Sequence, residues 1–139
     1  MIVLNPLCTM TVRLKNPLDA GNAPTGQRVI AEVASATLSG RLSGTLAGDS
    51  SADWLTLAGG GLGLPDVRIA IRTDDGAIVL MSYTGRMRFV LGQESIVMIA
   101  PVFETGDPRY SWLNEVQAVG KGILSADLTT LEYEICELQ

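Results

Sequence analysis

Residues 67–83 read VRIAIRTDDGAIVLMSY, two apolar alternations on either side of Thr73-Asp74-Asp75-Gly76. Val67, Ile69 and Ile71 recur at every second position, as do Val79, Met81 and Tyr83, which is the period of strands with one buried face. The segment between them carries turn chemistry, because Asp suits a type I turn and Gly accepts the left-handed backbone that follows it. A three-residue loop Asp74-Asp75-Gly76 places Thr73 opposite Ala77 and sets Val67, Ile69 and Ile71 against Tyr83, Met81 and Val79. A two-residue loop at Asp75-Gly76 would set Ile69 against Ser82 and Arg68 against Tyr83, mixing the two faces, so the longer loop is preferred. Ile78 and Leu80 fall on the opposite face of the second strand. They imply a cover there, and a subunit interface of a homodimer or higher homo-oligomer would supply it.

The same period extends outward. From Leu38 to Gly48 the even positions are Leu38, Gly40, Leu42, Gly44, Leu46 and Gly48 and the odd ones are mostly polar, which predicts one strand with the leucines on one face. The glycine spacing would also suit helix packing in a membrane, but Arg41 and its polar neighbours exclude that reading. Further strands are expected over 7–14, 27–34, 54–57, 96–103, 117–124 and 130–138, separated by turn signals at Asn16-Pro17, 22–26, Gly59-Gly60-Gly61 and 125–127. Only Asp107-Pro108 reads as a helix start, for a single turn. The fold class is therefore all-β, a small closed antiparallel β-barrel of about eight to ten strands in one domain, residues 1–139.

Composition agrees. Of 139 residues 47% are apolar and 18% charged, against about 25% charged in a typical domain, so the chain can fill a core. The net charge of −5 has the wrong sign for gripping phosphate backbones. No nucleic-acid partner is expected. No histidine is present, which removes the usual general base near neutral pH, the Ser-His and Cys-His nucleophiles and the commonest transition-metal ligand. No metal or cofactor is expected. Cys8 and Cys136 sit in strand-like runs and read as buried free thiols. The apolar start at residues 1–4 lacks basic residues and is broken by Asn5-Pro6, a poor secretory signal, and nothing approaches a bilayer-spanning helix. A cytoplasmic protein without a membrane partner is the expectation.

Several groups could carry chemistry. The run from Gly59 to Leu64 resembles a phosphate loop but has Leu64 where the third glycine belongs, with a strand following instead of a helix. Asp74-Asp75 is explained by its turn. Residues 103–114, FETGDPRYSWLN, gather two carboxylates, a guanidinium, an amide and aromatic residues directly after an apolar strand. On the functional reading they form a barrel mouth with Glu104 as first and Asp107 as second acid or base, and Tyr83 and Arg109 offsetting negative charge. Glu104 would be desolvated beside Phe103. Trp54, Met81, Phe103, Tyr110, Trp112 and Asn114 would hold an apolar small molecule. On the structural reading Asp107 caps a helical turn, Arg109 pairs with a carboxylate and Trp112 plugs the barrel.

The segments Arg72-Thr73-Asp74-Asp75-Gly76-Ala77, Tyr83-Thr84-Gly85 and 103–110 with Trp112-Leu113-Asn114 together resemble the domain of unknown function 3237 family. Pro6-Leu7, Gly26-Gln27-Arg28 and Asp53-Trp54 fit the same pattern, so the likeness spans nearly the whole chain. The resemblance implies a lipocalin-like barrel that forms oligomers, and it supplies no activity. Residues 87–93 depart from it by lacking a longer insertion, which implies a more open mouth. Three readings follow: a cofactor-free isomerase, cyclase or lyase acting on an apolar, natural-product-like molecule; a non-catalytic small-molecule carrier; or a structural oligomer with a filled barrel. The first is favoured because ionisable groups cluster near the presumed mouth. If Gly40, Gly44, Gly120 and Gly122 point inward, they would leave space inside.

Overall fold

The computed structural model describes residues 1–139 as one antiparallel barrel. Its strands are β1 (Leu4–Leu14), β2 (Leu18–Ala23), β3 (Gly26–Gly40), β4 (Gly44–Leu46), β5 (Ala52–Gly59), β6 (Leu62–Leu64), β7 (Asp66–Thr73), β8 (Ile78–Arg88), β9 (Ser95–Ile99), β10 (Val102–Glu104), β11 (Ala118–Leu124) and β12 (Thr130–Leu138). The only helix is a 3-10 helix, Pro108–Glu115, between β10 and β11. Four staves of the barrel are broken, β1/β2, β4/β5, β6/β7 and β9/β10, so the twelve strands form eight staves, each antiparallel to the next in chain order. Pairing of β12 with β1 and of β1 with β3 closes the ring. Prolines mark two breaks, Pro65 between β6 and β7 and Pro101 between β9 and β10, where a residue without an N–H cannot extend the ladder.

The hairpin has the expected register: Val67 faces Tyr83, Ile69 faces Met81 and Ile71 faces Val79. Gly76 adopts φ 93°, and the turn closes by Gly76 N–H donating to the Thr73 carbonyl at 3.0 Å. The run 38–48 is not one strand. β3 ends at Gly40, where φ is 138° and a Cβ would lie 2.6 Å from the Leu7 carbonyl oxygen. The chain reverses through 41–43, and β4 returns antiparallel on β3 with Gly44 opposite Leu38. Leu38 and Leu42 are nevertheless fully buried, and Leu46 packs on the core. A tight reversal that keeps every second residue inward preserves the period of a strand, so alternation alone does not reveal it.

The core fills the barrel with side chains such as Met10, Val12, Ile69, Ile71, Val79, Met81, Val97 and Ile135. One end is shut. There the 3-10 helix, with Leu113 fully buried, packs beside the β7–β8 hairpin and the 40–43 reversal. The opposite end is rimmed by Leu14, Leu55, Leu57, Phe89, Leu128 and Leu131, which are only partly buried. Cys8 is buried, Cys136 half-buried, and both are free thiols.

Candidate functional site

At the shut end the polar residues of 104–114 satisfy one another. Asp107 caps the 3-10 helix by accepting from Arg109 N–H at 2.9 Å, and the Arg109 guanidinium bonds both Asp107 carboxylate oxygens. Arg109 also donates to the Asp75 carbonyl at 3.0 Å, and the Tyr110 hydroxyl donates to the Asp75 carboxylate at 2.8 Å. The Thr73 hydroxyl donates to the same carboxylate at 2.6 Å. Thr73 first, then Tyr110 and Arg109, hold the Asp75 carboxyl below the usual carboxylate range, and Arg109 does the same for Asp107. Asn114 is bonded to both the N–H and the carbonyl of Thr105. Trp112 is half-buried under the Arg41 guanidinium, 5.3 Å from its ring centre. Expected to form a mouth, Asp107, Arg109 and Tyr110 instead tie the helix to the hairpin, while Asn114 ties it to Thr105 and Trp112 to Arg41.

Alternation along β10 turns the side chains of Phe103 and Glu104 to opposite faces. Phe103 points inward opposite Met81, and both are buried. Glu104 points outward opposite Leu80 and is exposed, so the apolar surroundings expected of it beside Phe103 are missing. It lines an outer groove of about 800 Å3 with Arg68, Leu80 and Val102, and Met81, Tyr83 and Phe103 also contribute to the lining of that groove. Trp54 lies on the outside of β5, 56% exposed, opposite Ile30. It does not share a cavity with Trp112. Of the residues expected to act together, the interior keeps Tyr83, Met81 and Phe103.

Tyr83 has two ionisable neighbours inside the barrel. Tyr133, on β12, is buried with its ring edge-on to Tyr83, centroids 5.9 Å apart. Asp53, on β5, faces Val67, which in turn faces Tyr83. Asp53 Oδ1 accepts the Asp66 N–H at 2.9 Å, a bond that meets an amide freed by the β6–β7 break. Burial pushes the Asp53 carboxyl up to about 6, with the Asp66 N–H partly opposing the shift. Burial raises Tyr83 well above the phenol range, and Tyr133 and the Asp53 carboxylate push it further. Tyr133 is raised for the same first reason. The hydrogen bond between the two tyrosine side chains raises Tyr83 further and partly offsets the rise of Tyr133.

Asp53 stood out in the sequence only within the family-like pair Asp53-Trp54, and Tyr133 not at all, although parity held the signal. Asp53 is in phase with Leu55 and Leu57, and Tyr133 with Leu131 and Ile135. From Leu57 at the open rim to Asp53 is four residues along β5, about 13 Å. A cavity of about 380 Å3 at that rim is lined by Leu57, Phe89, Leu62, Gln27 and Asn22. The glycines expected to leave space are instead covered. A Cβ on Gly120 would lie 2.9 Å from Ile99, and one on Gly122 would enter the Tyr133 ring. Gly122→Ala is thus expected to tilt Tyr133 and cost about 1–3 kcal/mol. Near-ultraviolet circular dichroism and thermal melting would show both, and an unchanged tyrosine signal would contradict the packing.

The fold and the sequence place the chain among known relatives. It belongs to the family described as "Protein of unknown function (DUF3237)", whose model matches residues 2–138. It is similar in structure to a beta-barrel like protein from Acinetobacter baumannii AYE, with a TM-score of 0.89 and 27% identity over 100% of this chain and 97% of that one. A conserved protein of unknown function from Rhodopseudomonas palustris gives 0.87 and 24%, over 100% and 99%. A structure described as an enzyme from Penicillium herquei gives 0.77 and 20%, over 99% and 95%. No curated protein matches the sequence. No helix is long and apolar enough to cross a membrane.

Proposed function

We propose that this barrel binds a small apolar molecule through its open end and moves a proton on it without a cofactor, as an isomerase, cyclase or lyase would. The observation that carries the reading is the half-buried, inward-facing carboxyl of Asp53 on β5, raised to about 6 and in register with buried Val67 and Tyr83. A base poised near neutral pH is what proton abstraction needs, and without histidine a carboxylate must provide it. Asp53 takes the proton. The hydroxyls of Tyr83 and Tyr133, kept protonated by burial, donate to the oxyanion or leaving oxygen that develops. The half-buried aliphatic rim receives the apolar body of the ligand. A structural neighbour described as an enzyme supports the view that this fold carries chemistry, as an analogy of fold alone.

A second reading rests on the outer groove, where Glu104 and Arg68 face solvent beside Leu80 and Val102. Deuterium exchange into a panel of apolar ketones and phenols, followed by proton NMR in D2O, separates the two. Wild type is expected to accelerate exchange, Asp53→Asn to lose at least about a hundredfold of it, and Glu104→Gln to retain it. The opposite pattern would move the chemistry to the groove. Binding without exchange in any form of the protein would leave a carrier.

A further inference from the structure

The outer face of β8, β9, β11 and β12 is apolar in the middle and oppositely charged at its two sides. Across these strands one row reads Arg88, Ile96, Ile123, Glu132, and the next reads Arg86, Met98, Lys121, Glu134. Ile96, Met98 and Ile123 are 43%, 50% and 44% exposed, a large apolar exposure on adjacent strands. Arg86, Arg88, Lys121, Glu132 and Glu134 are all exposed. None of them joins the chain's three ion pairs, which lie elsewhere. With strands about 4.8 Å apart, the arginines and glutamates stand about 14 Å from one another across the patch, too far to pair within one chain.

That order of charges is its own complement. A two-fold axis lying in the plane of the contact, parallel to the strands and over the gap between β9 and β11, lays β8 against β12 of a second copy. Each Arg88 then meets the copy's glutamate at position 132, and each Arg86 the one at position 134. The apolar middle folds onto itself: Ile96 meets Ile123 of the copy, and Met98 meets the aliphatic stem of Lys121. A patch with one sign of charge, or with mixed signs on each side, would not close in this way.

We propose that this face binds a second copy of the same chain in an isologous dimer, with its centre between β9 and β11. The contact differs from one built on Ile78 and Leu80, which lie further along β8 towards the hairpin, beside the outer groove. Dimerisation here leaves the rim at Leu57 and Phe89 outside the contact, so it does not depend on the proposed chemistry.

Sedimentation velocity on the full chain tests it, since every substituted side chain is exposed and folding can be checked by melting. Wild type at micromolar concentration is expected to sediment as a dimer. R86E/R88E and E132K/E134K should each bring like charges together at both sides and weaken association by about a hundredfold or more. Mixed in equal amounts, the two variants should form a heterodimer, because every contact then joins opposite charges. A monomeric wild type at one hundred times that concentration, or either variant alone remaining a dimer, would overturn the proposal. So would a mixture that fails to associate.

Discussion

Asp53→Asn is expected to make the protein more stable above pH 6 while removing its proposed proton transfer. The carboxyl titrates near 3.8 in the unfolded chain and near 6 in the fold, because burial disfavours its charged form. Between those values the folded state holds a proton that the unfolded state has lost, so stability falls as the pH rises through this window. Above pH 6 the full penalty is present; below about 4 it is gone. Asn keeps the oxygen that accepts the Asp66 N–H and carries no charge. The variant should therefore gain on the order of 1–3 kcal/mol at pH 7.5, a rise in melting temperature of about 3–8 °C, and little or nothing at pH 4. A stabilising loss of function of this kind is the signature of a strained catalytic group. If the variant melts lower than the parent at pH 7.5, Asp53 is a structural ligand of the β6–β7 break and not a poised base.

The parts of this fold that were legible in the sequence are those where a local pattern and the tertiary structure demand the same thing. Residues 67–83 are the plainest case: turn chemistry at Asp74-Asp75-Gly76 and alternation on both sides agree on one register, and the barrel keeps it. The 38–48 run failed because alternation does not encode direction. Gly40 turns the chain for a reason set by a distant strand, the Leu7 carbonyl that leaves no room for a side chain.

The candidate site was half legible for a related reason. Residues 103–114 are rich in groups that can do chemistry, but density in sequence does not say what they satisfy. Asp107, Arg109 and Tyr110 find Asp75 and one another and close an end of the barrel. The ionisable groups that face inward, Asp53, Tyr83 and Tyr133, come from three strands far apart in the chain. Only the closed ring brings them together, so no spacing rule could collect them. Their shared mark in the sequence is modest: an ionisable residue in the buried phase of a strand.

Gly44→Ala is expected to be among the most destabilising single-methyl changes in the chain. Gly44 is buried on β4, paired with Leu38 on one side and Thr73 on the other. A Cβ there would enter the backbone of β7, lying against the Arg72 carbonyl oxygen and 2.8 Å from Thr73 Cα. Main chain in the middle of a ladder cannot swing aside as the end of a flexible side chain would, so β4 must move. That motion reaches Leu42 and Ile71, which are fully buried, and side chains in a close-packed core take up such a shift only at a cost. The cost should be about 2–4 kcal/mol, a drop of about 6–15 °C in melting temperature. Because each stave of a closed barrel is held by two neighbours, the loss should appear as an earlier single transition and not as a separate early phase. Gly106→Ala is the control, since a Cβ at Gly106 meets nothing within 4 Å, and it should change stability by no more than about 0.5 kcal/mol. Equal melting of the two variants would mean that β3 and β7 do not close over β4 as tightly as the strand register requires.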